Sequence, residues 1–72
     1  MSKLPVCSGQ DAVRAFGKLG YLVDHQTGSH MILRHLNMRR LSVPNHRELA
    51  KGTLRKLIRE AGITKEQWAE LL

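Results

Sequence analysis

His30 follows the turn-forming triplet Thr27-Gly28-Ser29 and opens a strand-like run, His30-Met31-Ile32-Leu33-Arg34-His35. Histidine is the side chain that ordinarily exchanges a proton near neutral pH, with a reference pKa of about 6.5. Cleavage of RNA by its own 2′-hydroxyl needs a proton acceptor of that kind. Arg34 and Arg40 are the nearby cations that could hold a scissile phosphate and offset its developing charge. The competing reading of His30 is a solvent-facing histidine with no chemical role.

The other reactive side chains offer less. His25, His30 and His35 are spaced by five residues, and neither a Cys-x-x-Cys nor a His-Glu-x-x-His pattern occurs, so no metal site is expected. Cys7 has no companion base in sequence and reads as a packed or partly exposed thiol rather than a nucleophile. Asn45 and His46 follow Val43-Pro44. They read either as turn residues with local hydrogen bonds or, for His46, as a contact to substrate. Arg39, Lys51, Arg55 and Lys56 complete a set of candidate phosphate contacts that rests on charge alone. A solvated helix face carries such residues routinely.

Period-two alternation divides the strand residues between two faces. Met31, Leu33 and His35 share one side of their strand, and His30, Ile32 and Arg34 the other. In Arg40-Leu41-Ser42-Val43, Leu41 and Val43 oppose Arg40 and Ser42. If the apolar sets face helices, the open side displays His30, Arg34 and Arg40, with Ile32 as its one apolar member. A partner strand for the hairpin comes from Tyr21-Leu22-Val23-Asp24-His25-Gln26, with Gly28 supplying positive φ at the turn.

Helices flank these strands. Ser8 and Asp11 suit the start of a helix running toward Gly20, and Ala12, Val13, Phe16 and Leu19 form its apolar stripe. Gly17 inside it costs roughly 1 kcal/mol against Ala and is expected to let the sheet approach closely. Leu54, Leu57, Ile58 and Ala61 recur at helical spacing over Thr53–Ala61, and Gly62 closes that helix. Thr64 and Gln67 match a capping box, with Ile63 and Trp68 as its hydrophobic staple. A last short helix, Lys65–Leu72, buries Trp68 and Leu71. The order is helix, three strands, helix, short helix. Short connections favour an antiparallel meander with helices on one face, an α+β fold in one domain spanning 1–72.

The 72 residues carry 12 Lys and Arg against 6 Asp and Glu, for a net charge of +6. Eight of those cations fall within residues 25–59, against Glu48 alone. So concentrated a positive block suits a polyanion partner, with a merely solubilising surface as the plainer reading. A chain this short buries only roughly 60% of its unfolded surface, which leaves no second domain and no nucleotide-cofactor fold. No apolar run approaches the roughly 18 residues of a membrane span. Met1-Ser2-Lys3-Leu4-Pro5 lacks an export-signal core, and one cysteine allows no internal disulfide. Both features point to a reducing cytoplasm.

Several fragments together carry a resemblance. Leu4-Pro5-Val6 with Ser8-Gly9, then Leu19-Gly20-Tyr21, Gly28-Ser29-His30 and Ile32-Leu33-Arg34-His35 occur in order. Val43-Pro44-Asn45-His46, Glu48-Leu49, Lys51-Gly52-Thr53-Leu54-Arg55 and Ala61-Gly62-Ile63 follow. In this order the chain resembles the HicA toxin family, the YcfA-like mRNA interferases of toxin–antitoxin modules, from Leu4 to Leu72. The resemblance implies a fold like a double-stranded-RNA-binding domain and ribosome-independent cleavage of mRNA. It also implies a HicB-like antitoxin partner that covers the active site. The family's catalytic histidine falls on His30, with Gly28 and Ser29 as its positioning turn. Two positions depart from the family's habit: Leu36-Asn37-Met38 replaces a Pro-Asp-Gly-like turn, and Trp68 stands where phenylalanine is usual.

The expectation is therefore a slow, metal-independent and cofactor-free endoribonuclease, monomeric when free, acting on single-stranded mRNA. A non-catalytic RNA-binding module of the same fold is the alternative, since shape-based binding needs no histidine. A protein-interaction subunit, its basic face seating an acidic antitoxin, is compatible with either.

Overall fold

Ser8 opens the first helix by accepting from the backbone N–H of Asp11, while the Asp11 carboxylate accepts from the Ser8 N–H at 3.1 Å. This reciprocal cap satisfies two amides that the helix itself leaves unpaired. The computed structural model describes residues 4–72; Met1, Ser2 and Lys3, read above for export and charge, lie outside the described residues. Its elements are α1 (Gly9–Gly17), β1 (Leu22–Thr27), β2 (His30–Arg34), β3 (Leu41–Pro44), α2 (Lys51–Ala61) and α3 (Lys65–Leu71).

The strands form one antiparallel sheet in the order β1-β2-β3, so β2 is central. Met31 pairs with Val43 and Leu33 with Leu41, which puts four apolar side chains on one face. All four are buried against α1 and α2, in one core with Phe16, Leu54, Leu57, Ile58 and Trp68. Removing these side chains from water is the main force that seats the helices on the sheet. The expected α+β architecture, with an antiparallel meander and helices behind it, is the one observed.

Several particulars differ. Gly17 is not a point of close approach: nothing lies within 4 Å of where its Cβ would sit. That role belongs to Gly9, whose Cβ would collide with the Pro44 carbonyl. Here the N–H of Gly9 donates to the His46 carbonyl at 2.9 Å, so α1 starts hard against the exit of β3. Gly20 adopts φ 101° and faces the His35 ring, which leaves no room for a side chain. Leu71 is half-buried, and α3 docks through fully buried Trp68 against Phe16 with ring centroids 4.7 Å apart. α1 ends at Gly17, three residues short of Gly20, so Leu19 packs on the core from beyond the helix. The strand ends and the start of α2 differ from the sequence reading by one or two residues, as helix and strand termini commonly do.

Two features of the sheet shape the candidate site. All six residues of β1 are exposed, while the helices pack chiefly along β3 at the other edge of the sheet. A bulge interrupts the β1–β2 ladder between Val23 and His25, making Asp24 the extra residue. Bulges re-aim side chains, and this one brings the neighbours Asp24 and His25 within hydrogen-bond reach of each other at 2.7 Å.

Candidate active site

Gly28 takes φ 58° at the β1–β2 turn, a conformation that costs other residues steric strain. The turn is held at two points. The Gln26 side chain donates to the Gly28 carbonyl at 3.1 Å, and the Asn45 N–H donates to the Ser29 carbonyl at 2.6 Å. The second bond ties the turn to the chain leaving β3. His30 follows at the start of the central strand, paired with Thr27 on one side and Pro44 on the other. Its backbone is thus fixed while its side chain is exposed.

His30 opens into a groove of ≈ 360 Å³. The sheet contributes His30, Arg40, Ser42 and Pro44 to its lining. Facing them from α2 are Thr53, Lys56, Leu57 and Glu60. The open side of the sheet is therefore not bare along β3, where α2 raises a second wall. The apolar face of α2 enters the core, so its flank of Thr53, Lys56 and Glu60 is carried along the sheet edge.

The candidate cations separate into groups. Arg40 and Lys56 share the His30 groove; Arg34, Arg39, Lys51 and Arg55 do not line it. Arg34 lies four residues along β2 from His30, roughly 13 Å at strand rise. Its Nε pairs with Asp24 at 3.3 Å, and an Arg40 nitrogen reaches the same carboxylate at 3.6 Å. Arg34 and Arg40 converge on Asp24, and of the two only Arg40 also lines the groove. The hydrogen bond from His25 holds the Asp24 carboxyl below the usual carboxylate range, with the charges of Arg40, His25 and Arg34 adding to the effect. Arg39 is exposed, and its carbonyl accepts from the Tyr21 hydroxyl at 2.7 Å. Lys51 is exposed in the first turn of α2, and Arg55 borders a separate groove between α2 and α3 with Ile58, Arg59 and Ile63.

The remaining reactive groups stand apart from His30. His46 lines a small separate cavity with Asn45 and Arg47. His35 braces the fold: Nε2 donates to the Leu19 carbonyl at 2.9 Å and Nδ1 accepts from the Asn37 N–H at 3.0 Å. Cys7 is buried, and that burial raises its thiol pKa, with the Asp11 charge adding to the rise. A thiol held protonated is a poor nucleophile. Among the described residues no three His, Cys, Asp or Glu side chains group closely enough to hold a metal ion. None of the helices among them is long and apolar enough to cross a membrane.

Sequence reasoning missed Asp24, Ser42, Thr53 and Glu60. Alternation had already put Ser42 on the open side. Thr53 and Glu60 sit at i−3 and i+4 from Lys56, one helical flank, and that spacing was the available signal. For Asp24 the bulge left none. The assembled groove offers an imidazole ring, two cations, two hydroxyls and one carboxylate around a slot open to solvent. Such a set suits a phosphodiester more than a neutral metabolite.

Comparison with protein families finds one whose model matches residues 9–63, described as the HicA toxin of bacterial toxin-antitoxin. The matched span runs from the first residue of α1 to just past α2, and takes in the turn, His30 and the groove. It is shorter at both ends than the resemblance read from Leu4 to Leu72. A comparison with curated proteins finds no match.

Proposed function

The chain belongs to the HicA toxin family of toxin–antitoxin modules, and from that premise we propose that it is an endoribonuclease that cuts mRNA without the ribosome. His30 removes the proton from a 2′-hydroxyl, and that oxygen attacks the adjacent phosphorus. The bond to the 5′-oxygen breaks, leaving a 2′,3′-cyclic phosphate on one fragment. The other fragment carries a 5′-hydroxyl, protonated by the imidazolium or by water. The reading is carried by one observation: His30 is exposed on a fixed strand start, in a groove it shares with Arg40 and Lys56. Those cations offset the charge that builds on the phosphate in the transition state.

General acid–base help contributes about 10²–10⁴-fold per group, so one histidine makes a modest catalyst. A toxin needs no more, since each cut inactivates a whole message. The scheme gives no role to a metal or cofactor. We further take the antitoxin to be a HicB-like protein that covers the groove, and the toxin to act in the cytoplasm. Purified protein incubated with labelled RNA in EDTA tests the reading. His30→Ala is expected to lose cleavage, by at least 10²-fold, while keeping its fold and its salt-sensitive RNA binding. RNA binding without cleavage by the unaltered protein would instead favour the non-catalytic module.

A further inference from the structure

We infer that the cleft between β3 and α2 takes a single RNA strand lengthwise, with Lys56 and Arg40 as its phosphate contacts and Glu60 as the group that weakens its hold. The inference rests on His30 being the reacting group and adds the path of the strand around it. Pro44 pairs with His30, which puts both at one end of the cleft. Ser42 lies two residues back along β3 and Arg40 four, so Arg40 marks the other end, roughly 13 Å away. On the facing helix Thr53, Lys56 and Glu60 occupy one flank, about 10 Å from first to last.

The direction of that flank follows from how the chain enters α2. The Leu49 N–H donates to the Cys7 carbonyl, two residues before Gly9, which abuts Pro44 beside His30. Thr53, in the first turn of α2, therefore sits toward the His30 end, and Glu60, two turns on, toward the Arg40 end. Lys56 falls between them. A strand laid along the cleft with its reacting phosphate at His30 meets Lys56 next and Arg40 last, with the Ser42 and Thr53 hydroxyls available as further donors.

Walls on both sides admit one strand. A duplex is recognised across a broad minor-groove surface, which α2 obstructs here. Arg40 is held toward the sheet by Asp24 at 3.6 Å, but a guanidinium carries five donors and one carboxylate contact leaves others for a phosphate. Glu60 is the one acidic side chain in the lining. It faces the same phosphates as Arg40 and opposes them.

The test uses the full chain carrying His30→Ala, so that RNA stays intact, and reads affinity for a short single-stranded RNA across a salt series. Lys56→Ala and Arg40→Ala are each expected to flatten the log–log salt dependence by about 0.7, the value for one phosphate contact on a single strand. Arg59→Gln, an equal charge loss on the same helix outside the cleft, is expected to leave the slope unchanged. Glu60→Gln is expected to tighten binding severalfold, an effect that damage to the fold cannot produce. Unchanged slopes in Lys56→Ala and Arg40→Ala, an equal loss in Arg59→Gln, or equal affinity for a blunt duplex would each overturn the inference. Cleavage surviving in His30→Ala would overturn the catalytic reading instead, and leaves these binding outcomes separately decidable.

Discussion

Asp24 shows how one carboxylate reorganises a set of cations. Arg34 and Arg40 were legible as open-face residues from alternation alone, but their common partner was not. A bulge adds a residue to one strand and breaks the period-two pattern that reading relies on. The contacts give a pH signature. The Asp24 carboxyl is held low in the folded chain, first by the His25 hydrogen bond and then by the charges of Arg40, His25 and Arg34. Its folded pKa lies below its unfolded one, so its stabilisation is complete above the unfolded value of about 3.9. It is lost as pH falls through the folded value. Asp24→Asn should therefore flatten the decline of stability below about pH 4, read as urea midpoints across an acid series. Asp11, held low chiefly by the Ser8 backbone N–H, contributes to the decline that remains. A midpoint-versus-pH curve parallel to that of the unaltered protein would contradict this account of the cluster. For His30 the turn and strand start were legible locally and are observed, but the pattern alone did not separate it from any solvent-facing histidine; the resemblance did.

Elements followed from sequence wherever one face of each had to be apolar. The stripe in α2, most of that in α1, and the shared inward face of Met31, Leu33, Leu41 and Val43 belong to that class; the capping box at Thr64 was legible from its own residues. Long-range approach did not, and Gly9 is the clearest case. Its role depends on where β3 ends, not on its neighbours in the chain. Gly9→Ala should destabilise by about 1–3 kcal/mol, because the new Cβ meets the Pro44 carbonyl and the Asn45 Cα, backbone atoms that give little. In a domain of this size each kcal/mol lowers Tm by about 4–8 °C, and an unchanged Tm would contradict the packing described. Trp68 is the anchor of α3. It is fully buried, yet its Nε1 finds no acceptor among the described residues. Trp68→Ala should cost about 3–5 kcal/mol. Trp68→Phe should cost under about 1 kcal/mol, since the smaller ring leaves a gap but removes an unsatisfied donor worth about 1–3 kcal/mol. Denaturant unfolding of both variants checks the contrast, and a Trp68→Phe loss as large as that of Trp68→Ala would contradict it.

At the scale of the whole molecule, the radius of gyration is 11.1 Å, the size of a fully compact chain of this length. The single core fills the space between helices and sheet, so the chemistry has to sit on the outside, on backbone made rigid by what lies beneath. The sequence announced this arrangement only in part. Composition showed a basic block over residues 25–59, but not that Arg40 and Lys56 would meet across a groove while Arg55, next to Lys56, turned to another. That division comes from the helical turn of 100° per residue and from which flank of α2 lies along β3. An exposed site of this kind is open to RNA and equally open to a covering antitoxin, which fits a member of a toxin–antitoxin family. The central claim is that His30 activates the RNA's own 2′-hydroxyl, and the chemistry of the product ends tests it most directly. RNA cut by the purified protein in EDTA should carry 2′,3′-cyclic phosphate and 5′-hydroxyl ends, and none should form with His30→Ala. Fragments with 3′-hydroxyl and 5′-phosphate ends would show that water is the nucleophile and contradict the account.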